Sequence, residues 1–294
     1  MILSIPAPFP FVNGVIKVLE PPGTDQRTVL ERLLGGRYDK PYVVDDGAAR
    51  ALYFSFDFVQ SAMRLSQPNA LELPYSRTMM GFLLFQPPPA KILMLGLGGG
   101  SLAKFCHQHL PAAKITVVEI NPHVVAFRNE FKIPLDSERF AVVLADAAEY
   151  VAACRSRYDV IICDAFDHSG FAGALSQPGF YPALRRLLAG HGLLVVNMAG
   201  PRPGKLAHLK MLSQVFEQRT LAVPVAHDDN HVLLAFNDPA FVPDWAAVHR
   251  RAAALSRSLG LEFEKFARKF ERSQRLEYAK RALRSFVGGW PEAG

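Results

Sequence analysis

Apolar and polar positions alternate with two periods along this chain, and the change between them marks its organisation. Over 41–73 the apolar positions come in short runs separated by turn residues, predicting strands at 42–44, 51–54 and 70–73. Asp45-Asp46-Gly47 between the first two is a hairpin signal. From 75 to 85 the spacing becomes helical, with Met79, Phe82 and Leu83 on one side, and Pro87-Pro88-Pro89 stops it. Strands are then predicted at 92–95, 115–118, 140–144, 160–163 and 193–197. Helices are predicted between and after them at 101–109, 122–131, 147–153, 180–188 and 205–216. Two further runs, 221–225 and 231–236, face each other across Asp228-Asp229-Asn230 as an antiparallel hairpin. Apolar residues at helical spacing (Leu255, Leu259, Phe263, Phe266, Phe270) predict two closing helices broken near Gly260.

Strands alternating with helices form a parallel sheet covered on both faces. A hairpin after five such units is the arrangement of methyltransferase-type folds rather than of a dehydrogenase's two half-folds. The expectation is an α/β protein with a Rossmann-like, doubly wound sheet over 89–240. A small β-strand region over 1–88 precedes it and a helical extension over 241–294 follows.

The chemistry concentrates at one turn. Lys91-Ile-Leu-Met-Leu-Gly96-Leu-Gly98-Gly99-Gly100-Ser101 is an apolar run ending in four glycines within five positions. Such a turn from strand to helix lets a ligand lie against bare backbone. Nineteen residues beyond Gly100, the next apolar run ends in Glu119, a carboxylate placed to accept the hydroxyls of a ribose. Polar groups recur where later strands end: Asp146-Ala147, Asp164 with Asp167, and Asn197. Open α/β sheets bind ligands at those ends, and the set points to an adenosine-bearing small molecule. A nicotinamide enzyme and a tight turn without a ligand are the rival readings of the loop, and helix capping is the rival for Asp146 and Asp167. Asp159, which precedes its strand, is expected at the opposite edge of the sheet in a structural role.

Composition changes this picture little. Half of the 294 residues are hydrophobic and a fifth are charged, as in ordinary globular enzymes. The net charge of +6 is local, because 245–284 holds eleven Lys/Arg against four Asp/Glu. That stretch reads as a solvated helix face packed on the domain or a second subunit, and no nucleic-acid or membrane partner is expected. Three cysteines without CxxC spacing suggest a reducing compartment. The apolar first sixteen residues lack a basic start and contain three prolines, so a cytoplasmic location is expected. His227-Asp228-Asp229-Asn230-His231 reads as a polar hairpin tip rather than a metal site, and no metal is expected. His168 beside Asp167 is noted as an auxiliary acid/base candidate.

Val117-Val-Glu119-Ile120, Asp136-Ser-Glu-Arg139, Asp146-Ala147, Tyr158-Asp-Val-Ile-Ile-Cys-Asp164 and Phe180-Tyr181 resemble, in order and spacing, the polyamine aminopropyltransferases, the spermidine synthase family. The likeness covers roughly 41–236 and takes in Gln60-Ser61 and Tyr75. It implies transfer of an aminopropyl group from decarboxylated S-adenosylmethionine to a small-molecule amine, by a homodimer or homotetramer. Carried over by position, Gln60, Gly96, Gly98, Gly99, Gly100, Ser101, Glu119, Ile120, Asp146 and Ala147 hold the donor, Glu119 at ribose and Asp146 at adenine. Asp164 is then the base for the attacking amine, with Asp167 and Tyr75 at the acceptor.

The chain departs from that family at Ser101, which replaces an aspartate expected to pair with the aminopropyl ammonium. It departs again at Ser76-Arg77, where the family has Gln-Glu. The nucleoside half of the site is intact and the polyamine half is altered. Two alternatives therefore stay open: a methyltransferase using intact S-adenosylmethionine, with Arg77 holding a carboxylate, and a non-catalytic nucleoside-binding homologue.

Overall fold

The computed structural model describes residues 1–7, 14–55, 59–167, 170–171, 177–200, 202–225 and 230–287. Strands β1 (Ile2–Pro6), β2 (Val15–Leu19), β3 (Tyr42–Asp45), β4 (Ala49–Tyr53) and β5 (Val59–Arg64) form an antiparallel sheet in chain order. Helix α1 (Gln26–Leu34) starts where the Asp25 carboxylate accepts from the Thr28 amide, and it buries Val29 and Leu33. Ile5, Ile16, Val18 and Tyr42 join these two residues in a small core of their own.

Two expectations fail here. Residues 70–73 are not a strand, and β5 forms instead at 59–64, where no strand was predicted. Leu73 has the extended dihedrals (φ −82°, ψ 136°) that the following Pro74 imposes, but the segment pairs with no described strand. It leads directly into α2 (Pro74–Met79), which has its proline at the first helical position and tightens into a 3₁₀ turn over Met80–Leu84.

The larger sheet has the order β13-β14-β12-β9-β6-β7-β8. Its parallel part comprises β6 (Lys91–Leu95), β7 (Lys114–Glu119), β8 (Phe140–Leu144), β9 (Tyr158–Cys163) and β12 (Leu188–Met198). Strand β14 (His231–Phe236) runs antiparallel to β12 and to β13 (Thr220–Pro224). The predicted closing hairpin is therefore present, although residues 226–229 at its tip lie outside the described set.

These strands are apolar runs because both faces are covered. Ile92, Met94, Val160, Ile162, Leu193 and Val195 face one core. There they meet α3 (Ser101–His109), the 3₁₀ turn, and helices α8 (Trp245–Leu259) and α9 (Phe263–Val287). Leu93, Leu95, Ile161, Cys163, Leu194 and Val196 face the other, under α5 (Ala147–Ala153), α6 (Phe180–Leu187) and α7 (Arg202–Val215). The break at Gly260 is real: its φ of +66° ends α8, and Phe263, Phe266 and Phe270 bury the face of α9. Helix α4 (Pro122–Ala126) is shorter than predicted, because the chain tightens at Phe127 and Arg128 into bonds to the carbonyls three residues back.

The order of connections reverses at β6. The chain leaves β6 through α3 toward β7 on one side, and returns through α5 to β9 on the other. Between the carboxyl ends of β6 and β9 it opens the crevice in which such sheets bind ligands.

Candidate active site

The turn after β6 forms one wall of the crevice. Gly96 has φ +96°, and a β-carbon there would overlap the Asp164 backbone carbonyl, so only glycine lets the two strand ends approach. Gly99 is closed from the other direction. A β-carbon at this residue would stand 2.6 Å from Ser61 Oγ and 2.9 Å from Phe131. Phe131 is itself held by Lys104, whose buried ammonium donates to the Phe131 carbonyl at 2.8 Å. Burial and, secondarily, the Lys132 charge pull that ammonium down to about 8. The neighbouring Glu130 carboxylate receives Lys17 (2.5 Å) and Arg50 (3.1 Å), which also meet Asp45. The amino-terminal sheet is thus fastened to the layer that supports the glycine turn.

Glu119 is 8% exposed, and both of its carboxylate oxygens take backbone amides. Oε2 accepts from Leu97 inside the glycine turn (2.9 Å) and Oε1 from Asn121 (2.8 Å). A carboxylate offers about four acceptor positions, so lone pairs remain for a ribose. Beside it, the Ala145 amide donates to the Glu119 carbonyl. Asp146 follows as the cap of α5, its Oδ1 accepting from Ala148 (2.7 Å) and Glu149 (3.1 Å). The capping role weighed from sequence is therefore filled by one oxygen of that carboxylate. Ile120 is 64% exposed at the tip of β7, and Ala147 opens α5 half-buried.

Opposite the turn stands Asp164. Its amide donates to the Leu95 carbonyl and its Oδ1 accepts from Asn197 Nδ2 at 2.9 Å. Tyr75, from α2, hydrogen-bonds the same carboxylate and also reaches the Gln60 carbonyl at 3.4 Å. Burial pushes Asp164 up to about 6, against the opposing pull of Asn197 and Tyr75. The adjacent Cys163 thiol is pushed up to about 12 by burial, so it is no nucleophile. Asp159, as expected, lies at the far edge, where Oδ2 accepts from the amides of Ala90 and Lys91 at the start of β6.

Other candidates sit differently. Ser101 opens α3 with its hydroxyl 3.3 Å from Ser61 Oγ and 3.4 Å from the Ala62 carbonyl, and both of these partners are neutral. Arg77 does not enter the crevice. It donates to the Leu71 carbonyl at 2.6 Å and lines a separate groove with Phe105, His109 and Gly260, which removes it as a clamp for a donor carboxylate. Asp167 lies in the two-residue strand β10 (Phe166–Asp167), paired antiparallel with β11 (Gly170–Phe171). The position of its carboxyl group, like His168 and residues 227–229, falls outside what the structure describes. Among the described residues no cluster of three metal-ligating side chains occurs, and no helix is long and apolar enough to cross a membrane. Two contributors carried weak signals in the sequence: Ser61, which fills the space at Gly99, and Asn197, legible only as a polar residue ending a strand.

The family profile described as "Spermine/spermidine synthase domain" matches residues 72–219. A polyamine aminopropyltransferase from Chromobacterium violaceum is 36% identical over 232 residues, 79% of this chain and 89% of that one. The chain belongs to the spermine/spermidine synthase family. It is accordingly a transferase by family. The fold agrees: a probable spermidine synthase from Corynebacterium glutamicum superposes with a TM-score of 0.60 at 22% identity, over 72% of this chain and 84% of that one. Human methyltransferase-like protein 13, solved with SAH, superposes with a TM-score of 0.59 at 26% identity, over 64% of this chain and 93% of that chain.

Proposed function

We propose that the protein transfers an aminopropyl group from decarboxylated S-adenosylmethionine to a small-molecule amine. The observation that carries this reading is Asp164, a half-buried carboxylate bonded to Asn197 and Tyr75 across the crevice from the glycine turn. In the proposed complex Glu119 takes the ribose hydroxyls, and the free oxygen of Asp146 takes the adenine amine. Ile120 and Ala147 flank the base, while Gln60, Gly96, Gly98, Gly99, Gly100 and Ser101 bound the sulfonium and its tail. Tyr75 and Asp167 border the amine.

A neutral amine attacks the carbon next to the sulfonium in line. The N–C bond forms as the C–S bond breaks, its electron pair goes to sulfur, and the proton leaving nitrogen passes to Asp164. With its proton affinity set near pH 6, the group is a carboxylate at neutral pH and a stronger base than an exposed aspartate. Release of methylthioadenosine from the decarboxylated donor, with 1,4-diaminobutane and other amines as acceptors, tests the reaction. No release from any of them ends this reading.

A second reading has one observation in its favour. The neutral partners of Ser101 supply no charge against the carboxylate of intact S-adenosylmethionine, as methyl transfer on this scaffold requires. Calorimetric titration with both donors separates the two, since a strong preference for the decarboxylated form refutes methyl transfer. The proposal further includes a cytoplasmic homodimer or homotetramer, with units divided near residues 88 and 240. Light scattering and expression of 89–240 alone test the assembly and the division.

A further inference from the structure

The glycine turn rests on the segment Phe131-Lys132-Ile133 at two positions. A β-carbon at Gly99 would stand 2.9 Å from the Phe131 ring, and one at Gly100 would stand 2.5 Å from the Ile133 side chain. Between them Lys132 has φ +53°, in the left-handed region that L-residues rarely adopt. Lys104, in the first turn of α3, is bonded to both parts. Its amide donates to the Gly100 carbonyl at 2.8 Å, and its ammonium donates to the Phe131 carbonyl at 2.8 Å. The contacts continue into the crevice. The Gly100 amide donates to the Leu97 carbonyl at 2.8 Å, and the Leu97 amide donates to Glu119 Oε2 at 2.9 Å. Lys104 is 1% exposed, and no carboxylate among the described residues pairs with its ammonium. Burial, helped by the Lys132 charge, holds it at about 8, below the ordinary 10.5. It is therefore charged at neutral pH, and that charge opposes folding until the pH rises past about 8. An apolar side chain of similar length would spare the fold this cost. What the lysine adds is the bond beneath the turn.

We propose that Lys104 is a positioning residue for the nucleoside: by clamping segment 131–133 against the glycine turn, it sets how tightly the donor is gripped without touching it. This deepens the proposed aminopropyl transfer and rests on its placing the nucleoside at the turn. Without the ammonium the buried Phe131 carbonyl loses a hydrogen bond from a charged group. Phe131 and Ile133 are then free to draw back from Gly99 and Gly100, and the turn shifts against Glu119. A small displacement of a group that orients a ligand is enough to cost affinity. Asp164, Asn197 and Tyr75 come from the ends of β9 and β12 and from α2, none of which carries this bond, so the proton transfer at Asp164 is spared.

The test uses the full-length protein, methylthioadenosine as the probe, and Lys104→Met. Calorimetry is expected to show binding weakened about tenfold, the lower end of what the loss of one charge-assisted bond carries. In turnover with the decarboxylated donor and 1,4-diaminobutane, KM for the donor should rise by about the same factor while kcat stays within about threefold. A second measurement needs no substitution. Because coupling between two sites is reciprocal, methylthioadenosine should slow amide hydrogen exchange at Lys132 and Ile133 of the unmodified protein about tenfold, and by more than in β13 at the far edge of the sheet. Unchanged affinity in a folded Lys104→Met, or a fall in kcat without one in affinity, means that Lys104 serves only the fold and overturns the inference. So does protection that stops at the turn or is equal across the chain. Failure of methylthioadenosine to bind the unmodified protein overturns the placement of the nucleoside as well, whereas binding that ignores Lys104 overturns this inference alone.

Discussion

Replacing Asp164 by asparagine should make the protein inactive and more stable. The carboxylate is held where burial opposes its charge, so its proton affinity sits near pH 6 rather than at the ordinary aspartate value of about 3.9. That difference, at 1.36 kcal/mol per pH unit, amounts to about 3 kcal/mol carried by the folded state whenever Asp164 is ionised. Water reaching the half-buried group trims this toward about 2 kcal/mol. An amide is nearly the same shape and still accepts from Asn197 Nδ2. Below about pH 4 the carboxyl is protonated in folded and unfolded chains alike, and the two proteins should melt together. Between about pH 4 and 6 the unfolded chain gives up its proton first, so the unmodified protein loses stability as pH rises. Above about pH 6 the full difference is present. For a chain of this size 1 kcal/mol moves the midpoint by about 2–4 °C, so Asp164→Asn should melt about 4–12 °C higher at pH 7.5. Thermal unfolding from pH 4 to 8 measures the gap. A variant that melts at or below the unmodified protein at pH 7.5, or a gap that does not change with pH, refutes the electrostatic account of this site.

The same titration governs turnover. The slope of log kcat/KM against pH for methylthioadenosine release should fall from about two below about pH 6 to about one above it, where only the free amine still titrates, and a slope that does not change between about pH 5 and 7 would exclude Asp164 as the proton acceptor. Glu119→Gln presents an amide N–H₂ to one of the backbone amides of Leu97 and Asn121. The loss of a charge-assisted bond, about 1.5–3 kcal/mol, should weaken methylthioadenosine binding about 10- to 100-fold by calorimetry. Arg77→Ala should leave that affinity within about twofold, because the guanidinium serves Leu71 rather than the crevice; a tenfold loss would place it in the donor site after all.

The parallel sheet was legible because its central strands are buried on both faces and therefore written as uninterrupted apolar runs, as in Ile92–Leu95 and Val160–Cys163. Residues whose roles need only backbone could likewise be picked out by type and position: the glycines of the turn, and Glu119 at a strand tip. What depends on distant segments could not. Strand β5 contains Gln60, Ser61 and Arg64 among its six residues, and it exists because β4 offers an edge to pair with, not because its own pattern is apolar. The stretch 70–73 has the apolar content of a strand but no described partner. The support of Phe131 by Lys104 joins residues twenty-seven apart through a carbonyl, which no side-chain pattern records. The raised proton affinity of Asp164 likewise depends on what β12 and α2 bring to it.

The space at Gly99 that Ser61 occupies makes residue 61, in the amino-terminal sheet, and residue 99, in the turn after β6, a matched pair. Exchanging the first seventy residues for those of a relative is safe only if the incoming side chain at 61 is no larger than serine. A threonine or leucine in its place would fold with its own sheet yet lever the glycine turn outward. Such a chimera would lose the nucleoside, so compatibility between the two halves of this protein depends on a missing β-carbon as well as on the ion pairs at Glu130.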